Sequence, residues 1–307
     1  MQPFFSVVIS VFNKKDHIKD TINSVLNQSF RNIEIIVVDD GSTDGSSQII
    51  NDFLDERIKV IRTKNQGASK ARNTGITNAN TNYIALLDGD DLWHKDFLKH
   101  IKEAIAAFPD EKVYATALSQ KYPNKTVPVS YSFKQKELYS VRNYFKSSKK
   151  YAILSSSSTV FKKDILKTTG NFDPNIISGQ DIDLWIRFAM YYNVVFINKP
   201  LAIYNHIADS LSNTAYSLTN KSKFDKYLTE EKENKDLKAY LDLNRYSMAL
   251  LSKFLNDKTR YDYYTSFIDF KNLTVRQTIL LKSPKWLLEL LLKLKSFRGE
   301  KLYYPSN

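Results

Sequence analysis

The chain has 307 residues, 42% of them hydrophobic, which suffices for one full α/β domain with a helical appendage. It has no cysteine, and this excludes disulfides, thiolate zinc sites and cysteine nucleophiles. Its formal net charge of +12 points to anionic partners and is uneven, with a net +7 in residues 214–307 and +5 in residues 1–213.

Phe5–Val11 reads as a strand rich in Val and Ile. It is entered at once from Met1-Gln2-Pro3, without the leading cations or the cleavage site of a signal peptide. Asp16–Gln28 carries Ile18, Ile22, Val25 and Leu26 at helical spacing. Ile33–Val38 is apolar throughout, as a strand buried on both faces requires. Ser46–Leu54 predicts a helix, Ile58–Ile61 a third strand, Ser69–Ala79 a helix, Tyr83–Leu87 a fourth strand, and Asp96–Ala107 a helix that ends before Pro109. The alternation predicts an α/β fold, a mostly parallel sheet with helices on both faces. Ligands of such sheets bind beyond the carboxyl ends of the strands.

Residues 118–150 mix Lys, Tyr and Ser with Pro123 and Pro128, and predict an irregular insertion over that crevice. Ile153–Phe161 reads as extended, Lys163–Thr168 as a short helix stopped by Gly170, Asp181–Tyr191 as a helix and Val194–Ile197 as a strand. Beyond about residue 215 the pattern is helical. The expected division is an α/β domain over 1–213, in two parts at about 1–117 and about 118–213, followed by a basic helical extension over 214–307. No run of 18 apolar residues occurs, so no membrane-spanning helix is expected, and the chain reads as cytoplasmic or peripheral at the inner face of the plasma membrane.

Asp88-Gly89-Asp90-Asp91 closes the fourth strand. Three carboxylates in four residues repel one another and are costly to desolvate. Mg²⁺ or Mn²⁺ would relieve them and bridge to phosphate oxygens, whereas a solvated turn would use the same residues. Asp39-Asp40-Gly41-Ser42-Thr43-Asp44 closes the second strand. Turn formation accounts for Gly41 to Asp44 but leaves the adjacent carboxylates, of which Asp40 suits a nucleobase imide or ribose hydroxyls. In Gln66-Gly67-Ala68-Ser69-Lys70-Ala71-Arg72, Arg72 suits a diphosphate through its planar fork. Asp181 and Asp183 open an amphipathic helix, where one can cap or favour the helix dipole and the other act as a base. Spacing does not distinguish them. His206, in Tyr204-Asn205-His206, is a metal or phosphate ligand or a structural histidine.

Together these groups resemble the inverting, metal-dependent glycosyltransferases of family 2, with the GT-A fold, of the bacterial surface-polysaccharide type. The resemblance rests on Ser6-Val7-Val8-Ile9-Ser10-Val11-Phe12-Asn13, Val37-Val38-Asp39-Asp40-Gly41-Ser42-Thr43-Asp44, Gly67-Ala68-Ser69-Lys70-Ala71-Arg72-Asn73, Leu87-Asp88-Gly89-Asp90-Asp91, and Gly170-Asn171-Phe172-Asp173 followed by Gln180-Asp181. These occur in family order and span roughly residues 4–212. The resemblance implies uridine contacts for Ser10 and Asp40 with Asp39 close by, a diphosphate contact for Arg72, and an Asp-x-Asp motif of Asp88 and Asp90. Asp90 would bind Mn²⁺ or Mg²⁺ directly, Asp88 would face the ribose or a metal-bound water, and His206 would help hold metal or diphosphate. Asp181 matches the general base. Gln180 stands where the family usually has Glu, which puts acceptor contacts in question. The implied partners are a nucleotide-diphosphate sugar, UDP-sugar above all, and a glycan or lipid-linked acceptor.

Pro284 to Lys295 reads as a basic amphipathic helix, Pro suiting its first turn, with Trp286, Leu287, Leu290, Leu291, Leu294 and Phe297 on one side. It can lie on an anionic membrane surface or pack against protein. Three other classes were weighed. A nucleic-acid-binding module, prompted by the charge and 19 tyrosines, conflicts with acidic clusters at the crevice and has no recognised motif, so no nucleic acid is expected. A dinucleotide oxidoreductase would need Gly-x-Gly-x-x-Gly after the first strand, where Ser10-Val11-Phe12-Asn13 stands. A non-catalytic nucleotide-sugar scaffold is left open by Gln180.

Overall fold

Four Val- and Ile-rich segments pair in parallel: β1 (Phe5–Val11), β2 (Ile33–Asp39), β3 (Ile58–Arg62) and β4 (Tyr83–Asp88), in the order β3-β2-β1-β4. The computed structural model describes residues 3–206 and 224–297. Asp209-Ser210-Leu211-Ser212 and the expected boundary at 213/214 lie outside the described residues.

Side chains of β1 alternate between two cores, as the two-residue period of a strand dictates. Val7 and Ile9 pack with α1 (Ile18–Leu26) and α2 (Ser46–Asn51), while Val8 packs with α3 (Ala68–Thr77). Beyond β4 the chain forms β5 (Leu92–Trp93), α4 (Phe97–Ala107), β6 (Val113–Tyr122), β7 (Lys125–Pro128), β8 (Tyr139–Arg142), α5 (Tyr144–Ser147), β9 (Thr159–Lys162), α6 (Leu166–Thr169), α7 (Gln180–Ala189) and β10 (Val194–Asn205). The sheet continues β4-β9-β6-β10-β5, with β9 antiparallel to both β4 and β6. It is therefore parallel at the donor end and mixed beyond it, covered on both faces by helices.

Residues 118–150 are not the irregular insertion expected. They contain the end of β6, all of β7 and β8, and the short α5. Eight consecutive residues of β6, Val113 to Gln120, are buried. Ala115, Thr116, Ala117 and Ser119 dilute its apolar signal, because the space between flanking strands and helices here suits small side chains. Likewise Ile153–Phe161 is extended only from Thr159, and Ser155–Ser158 forms a turn.

The C-terminal part is helical: α8 (Glu230–Glu233), α9 (Lys235–Phe254), α10 (Lys258–Ser266), α11 (Val275–Lys282) and α12 (Lys285–Phe297). The start of α9 enters the core beneath the sheet, where Leu237, Tyr240 and Leu241 are buried and Tyr240 meets Tyr144 and Phe145 of α5. Its later residues, from Tyr246 to Leu251, build a second core with Tyr264, Leu281 and Leu288. Among the described residues no helix is long and apolar enough to cross a membrane.

Helix α3 approaches the sheet through Gly75, where an added Cβ would run into Val8 Cγ1 and lie 3.3 Å from Val38 Cγ2. Gly75→Ala is expected to cost about 1–3 kcal/mol through overpacking, outweighing a helix-propensity gain of up to about 1 kcal/mol. A lower urea midpoint at unchanged slope checks this.

Candidate active site

Register brings the chemistry together. Ser10 lies opposite Asp88 across β1 and β4, and Val11 lies opposite Asp39 across β1 and β2. The acidic ends of β2 and β4 therefore flank the end of β1, at the carboxyl edge of the parallel strands.

Each carboxylate there has its own solution to burial. Asp39 accepts from the Ser42 N–H at 3.0 Å and from the Ser47 hydroxyl. Asp40 is 2% exposed and accepts from Thr63 Oγ1 at 2.8 Å and from the Gln66 and Gly67 N–H groups at 3.1 and 2.8 Å. The pair thus shapes the loops after β2 and β3. Gly41 makes the first loop possible, since its φ is +79° and a Cβ would stand 2.8 Å from the Asn65 nitrogen.

Asp88 accepts from Ser10 Oγ at 3.3 Å and from Arg72 Nη2 at 2.6 Å. Arg72, 7% exposed, lies over the Phe172 ring at 5.4 Å, and its Nη1 has no protein partner. Asn73 holds Phe172 in place by bonding both its carbonyl and its N–H, at 2.8 and 3.1 Å. Asp90 is ion-paired with Lys14. Asp91 is buried and accepts from the Ser157 hydroxyl and the Asn205 N–H. Its burial, with the charges of Asp90 and Asp88 nearby, pushes its carboxyl well above the usual range. Asn205 also donates from its side chain to the Asp90 carbonyl, and Ser157 receives the Asp88 N–H at 3.2 Å. Two distant segments thereby fix the acidic turn.

Asp181 and Asp183 separate cleanly. Asp183 is fully buried and bonded to Arg187 at 2.8 Å, to the Tyr227 hydroxyl at 2.6 Å and to Lys226. It clamps α7 to the segment before α8. Among the described residues the Asp181 carboxylate bonds only the N–H of its neighbour Ile182, at 2.9 Å. Burial raises its carboxyl, the positive charge of Arg72 partly offsets this, and the charge of Asp88 adds to it. Arg72 thus lies within electrostatic reach of Asp88, Asp90 and Asp181, and Asp181 within reach of Asp88. The buried phenols of Tyr144 and Tyr240, joined at 3.0 Å, flank Asp181, and burial pushes the Tyr240 hydroxyl up to about 12.

Among the described residues no three Asp, Glu or His side chains, His206 among them, form a preassembled ion site. Its ring stacks on Tyr122 at 4.4 Å. Asp88 and Asp90 nonetheless fit Mg²⁺ or Mn²⁺, which take one or two carboxylates and complete their shell with water and phosphate oxygens. Both side chains remain accessible, at 27% and 13% exposure. Sequence reasoning missed Lys14, Ser157, Asn205 and Tyr227. None has a spacing that points to the acidic strand ends, and only Lys14-Lys15 beside a strand end offered any signal.

The family model for glycosyl transferase family 2 matches residues 6–170. A putative teichuronic acid biosynthesis glycosyltransferase, TuaG of Bacillus subtilis, is 31% identical over 232 residues, covering 73% of this chain and 87% of that protein. An uncharacterized glycosyltransferase of Rickettsia felis is 33% identical over 205 residues, 64% of this chain, and the aligned region spans only 32% of that longer protein. The crystal structure of S. aureus TarS 1–349 in complex with UDP aligns with a TM-score of 0.59 at 20% identity, covering 87% of this chain and 91% of that one. At that identity the likeness speaks for the fold.

Thermal unfolding tests the separation of the two aspartates. Asp183→Ala leaves the buried Tyr227 hydroxyl without its carboxylate and removes an ionic partner of Arg187 and Lys226, and is expected to cost about 1–3 kcal/mol. Asp181→Asn is expected to raise Tm at neutral pH. Because the Asp181 carboxyl is raised in the folded state, its ionised form costs stability above that raised value. The advantage of Asn should fade as pH falls through it towards the ordinary carboxylate value of 3.8.

Proposed function

The chain belongs to glycosyl transferase family 2, and from that premise we propose that it transfers a sugar from a nucleotide-diphosphate sugar to a hydroxyl of a glycan or lipid-linked glycan, with inversion. The observation that carries this reading is the convergence of Arg72, Asp88, Asp90 and Asp181 from α3, the end of β4 and α7. A UDP-sugar is the favoured donor, since the similarly folded TarS holds UDP. The similarity to TuaG favours surface-polysaccharide synthesis.

In this mechanism Asp181 takes the proton of the acceptor hydroxyl as that oxygen attacks the anomeric carbon. The bond from that carbon to the donor's phosphate oxygen breaks on the opposite face, which inverts the centre. Mn²⁺ or Mg²⁺ held by Asp90 and Asp88 would neutralise charge on the leaving diphosphate. Arg72 offers its unpartnered Nη1 to the same phosphates as a charge-assisted donor. Ser10 and the remaining acceptor capacity of Asp40 are assigned to the uridine, with Asp39 supporting the loop beside them. His206, next to Asn205, is assigned to the phosphates rather than the ion. The raised Asp181 carboxyl suits a base, because a carboxylate of higher pKa accepts a proton more readily. A donor-binding scaffold without chemistry would have no use for it.

Asp181→Asn is expected to cut transfer by about 10²–10⁴ while UDP-sugar affinity is retained. The acidic limb of kcat/KM in the unsubstituted enzyme should lie above the ordinary carboxylate range, since the base must be ionised. Transfer by Asp181→Asn at near the normal rate would remove Asp181 from the role.

We assign the C-terminal helices to an anionic membrane surface at the cytoplasmic side, where a lipid-linked acceptor would lie. Leu281 and Leu288 anchor α11 and α12 inward. Val275, Ile279, Trp286 and Leu290 remain exposed, Val275 by 78% and Trp286 by 64%. Lys271, Arg276, Lys282 and Lys285 accompany them, against one acid, Glu289, in residues 271–291. Apolar side chains among cations match an anionic headgroup layer better than a neutral one. The side chains of Leu294 and Phe297, counted in the expected face, lie outside those described. Flotation with phosphatidylglycerol vesicles should carry the protein up, and Trp286→Glu with Leu290→Glu should leave it at the bottom. Equal flotation with neutral phosphatidylcholine would argue against an anionic surface.

A further inference from the structure

Asp88 and Asp90 are each neutralised by a cation of the chain, and the two cations differ in kind. Arg72 stands on α3, is almost wholly buried and rests on Phe172. Lys14 stands in the loop after β1, with 23% of its side chain exposed. Its main chain is pinned: the Lys14 N–H donates to Ser46 Oγ at 2.8 Å, and Asn13, with φ +52°, accepts from the Thr43 N–H at 2.8 Å. The ammonium at the end of its flexible four-carbon stem is left to choose its partner. In the structure that partner is Asp90.

An ammonium and a divalent ion cannot both sit on the same carboxylate oxygen. We propose that Lys14 is a resident counter-cation that holds Asp90 until metal and donor arrive together, and then moves to the donor's diphosphate. This rests on the reading of Asp90 as the metal ligand. Free Mn²⁺ or Mg²⁺ must displace Lys14 without compensation, so only the fraction of molecules with the pair open is competent to bind. A metal–nucleotide complex brings phosphate oxygens with it. Lys14 then exchanges one anion for another, and the displacement costs little. Lys14 thereby couples metal binding to nucleotide binding and keeps the empty site from collecting ions.

The test uses the full chain and two probes, Mn²⁺ and UDP, with metal binding followed by electron paramagnetic resonance and UDP binding by calorimetry. Lys14→Met is expected to bind Mn²⁺ alone about three- to tenfold more tightly than the unsubstituted chain, the factor set by how often the pair is closed. In saturating Mn²⁺ it is expected to bind UDP about tenfold more weakly, a single charge-assisted contact being lost. Lys14→Arg, which keeps the charge, should retain weak binding of free Mn²⁺ and guards against a mere loop disturbance. Mn²⁺ affinity unchanged or weakened in Lys14→Met, while Asp90→Asn abolishes binding, overturns the role of Lys14 and leaves Asp90 as the ligand. Mn²⁺ binding in the presence of UDP that survives Asp90→Asn overturns the metal reading itself.

Discussion

The crevice is governed by the cost of keeping acids at the ends of buried strands. Parallel pairing of β1, β2 and β4 forces the residues that follow them into one edge, and five of those residues are Asp39, Asp40, Asp88, Asp90 and Asp91. An ionised carboxylate withdrawn from water needs a cation or several donors. Asp39 and Asp40 use main-chain and hydroxyl donors from adjacent loops, Asp88 and Asp90 use Arg72 and Lys14, and Asp91 moves towards its neutral form. The internal cations answer the repulsion that a bound metal would otherwise have to answer.

The mixed half of the sheet supplies the precision that the parallel half lacks. Ser157, just before β9, and Asn205, at the end of β10, converge on Asp91 from opposite sides. Trp93 Nε1 adds a 2.7 Å bond to the Ser157 carbonyl, and Gly89 fits where a Cβ would lie 3.0 Å from the Ser10 carbonyl. The acidic turn is therefore held by three strands besides its own. Such support keeps catalytic side chains near one geometry without depending on bound ligand.

The donor half was legible in the sequence because its signals are local. Alternating strand and helix patterns located β1 to β4 and α1 to α4 within a few residues, and the acids at strand ends followed from those assignments. The strand β6 escaped because burial between neighbours selects small residues, and Ala115, Thr116 and Ala117 carry little periodic signal. The distinction between Asp181 and Asp183 could not be read from spacing. It depends on Tyr227 and Lys226, more than forty residues away in sequence, reaching back to one carboxylate and not the other. Pairings across such separations leave no trace in a local pattern.

That same pairing bears on how the chain divides. The family match ends at residue 170, before α7 and its aspartates. Asp183 fastens α7 to Tyr227, Arg187 reaches from α7 to the Asn171 carbonyl at 2.8 Å, and Tyr240 on α9 meets Tyr144 beside Asp181. Helix α7, which carries Asp181, is thus held from one side by the Gly170–Phe172 segment and from the other by residues of the C-terminal helical part. A second core in that part, around Leu251 and Leu281, continues directly from α9. Any surface that engages α11 or α12 is connected to Asp181 through packed helices rather than through a flexible tether. The orientation of Asp181 and the seating of the C-terminal helices are therefore mechanically one problem, solved by α9.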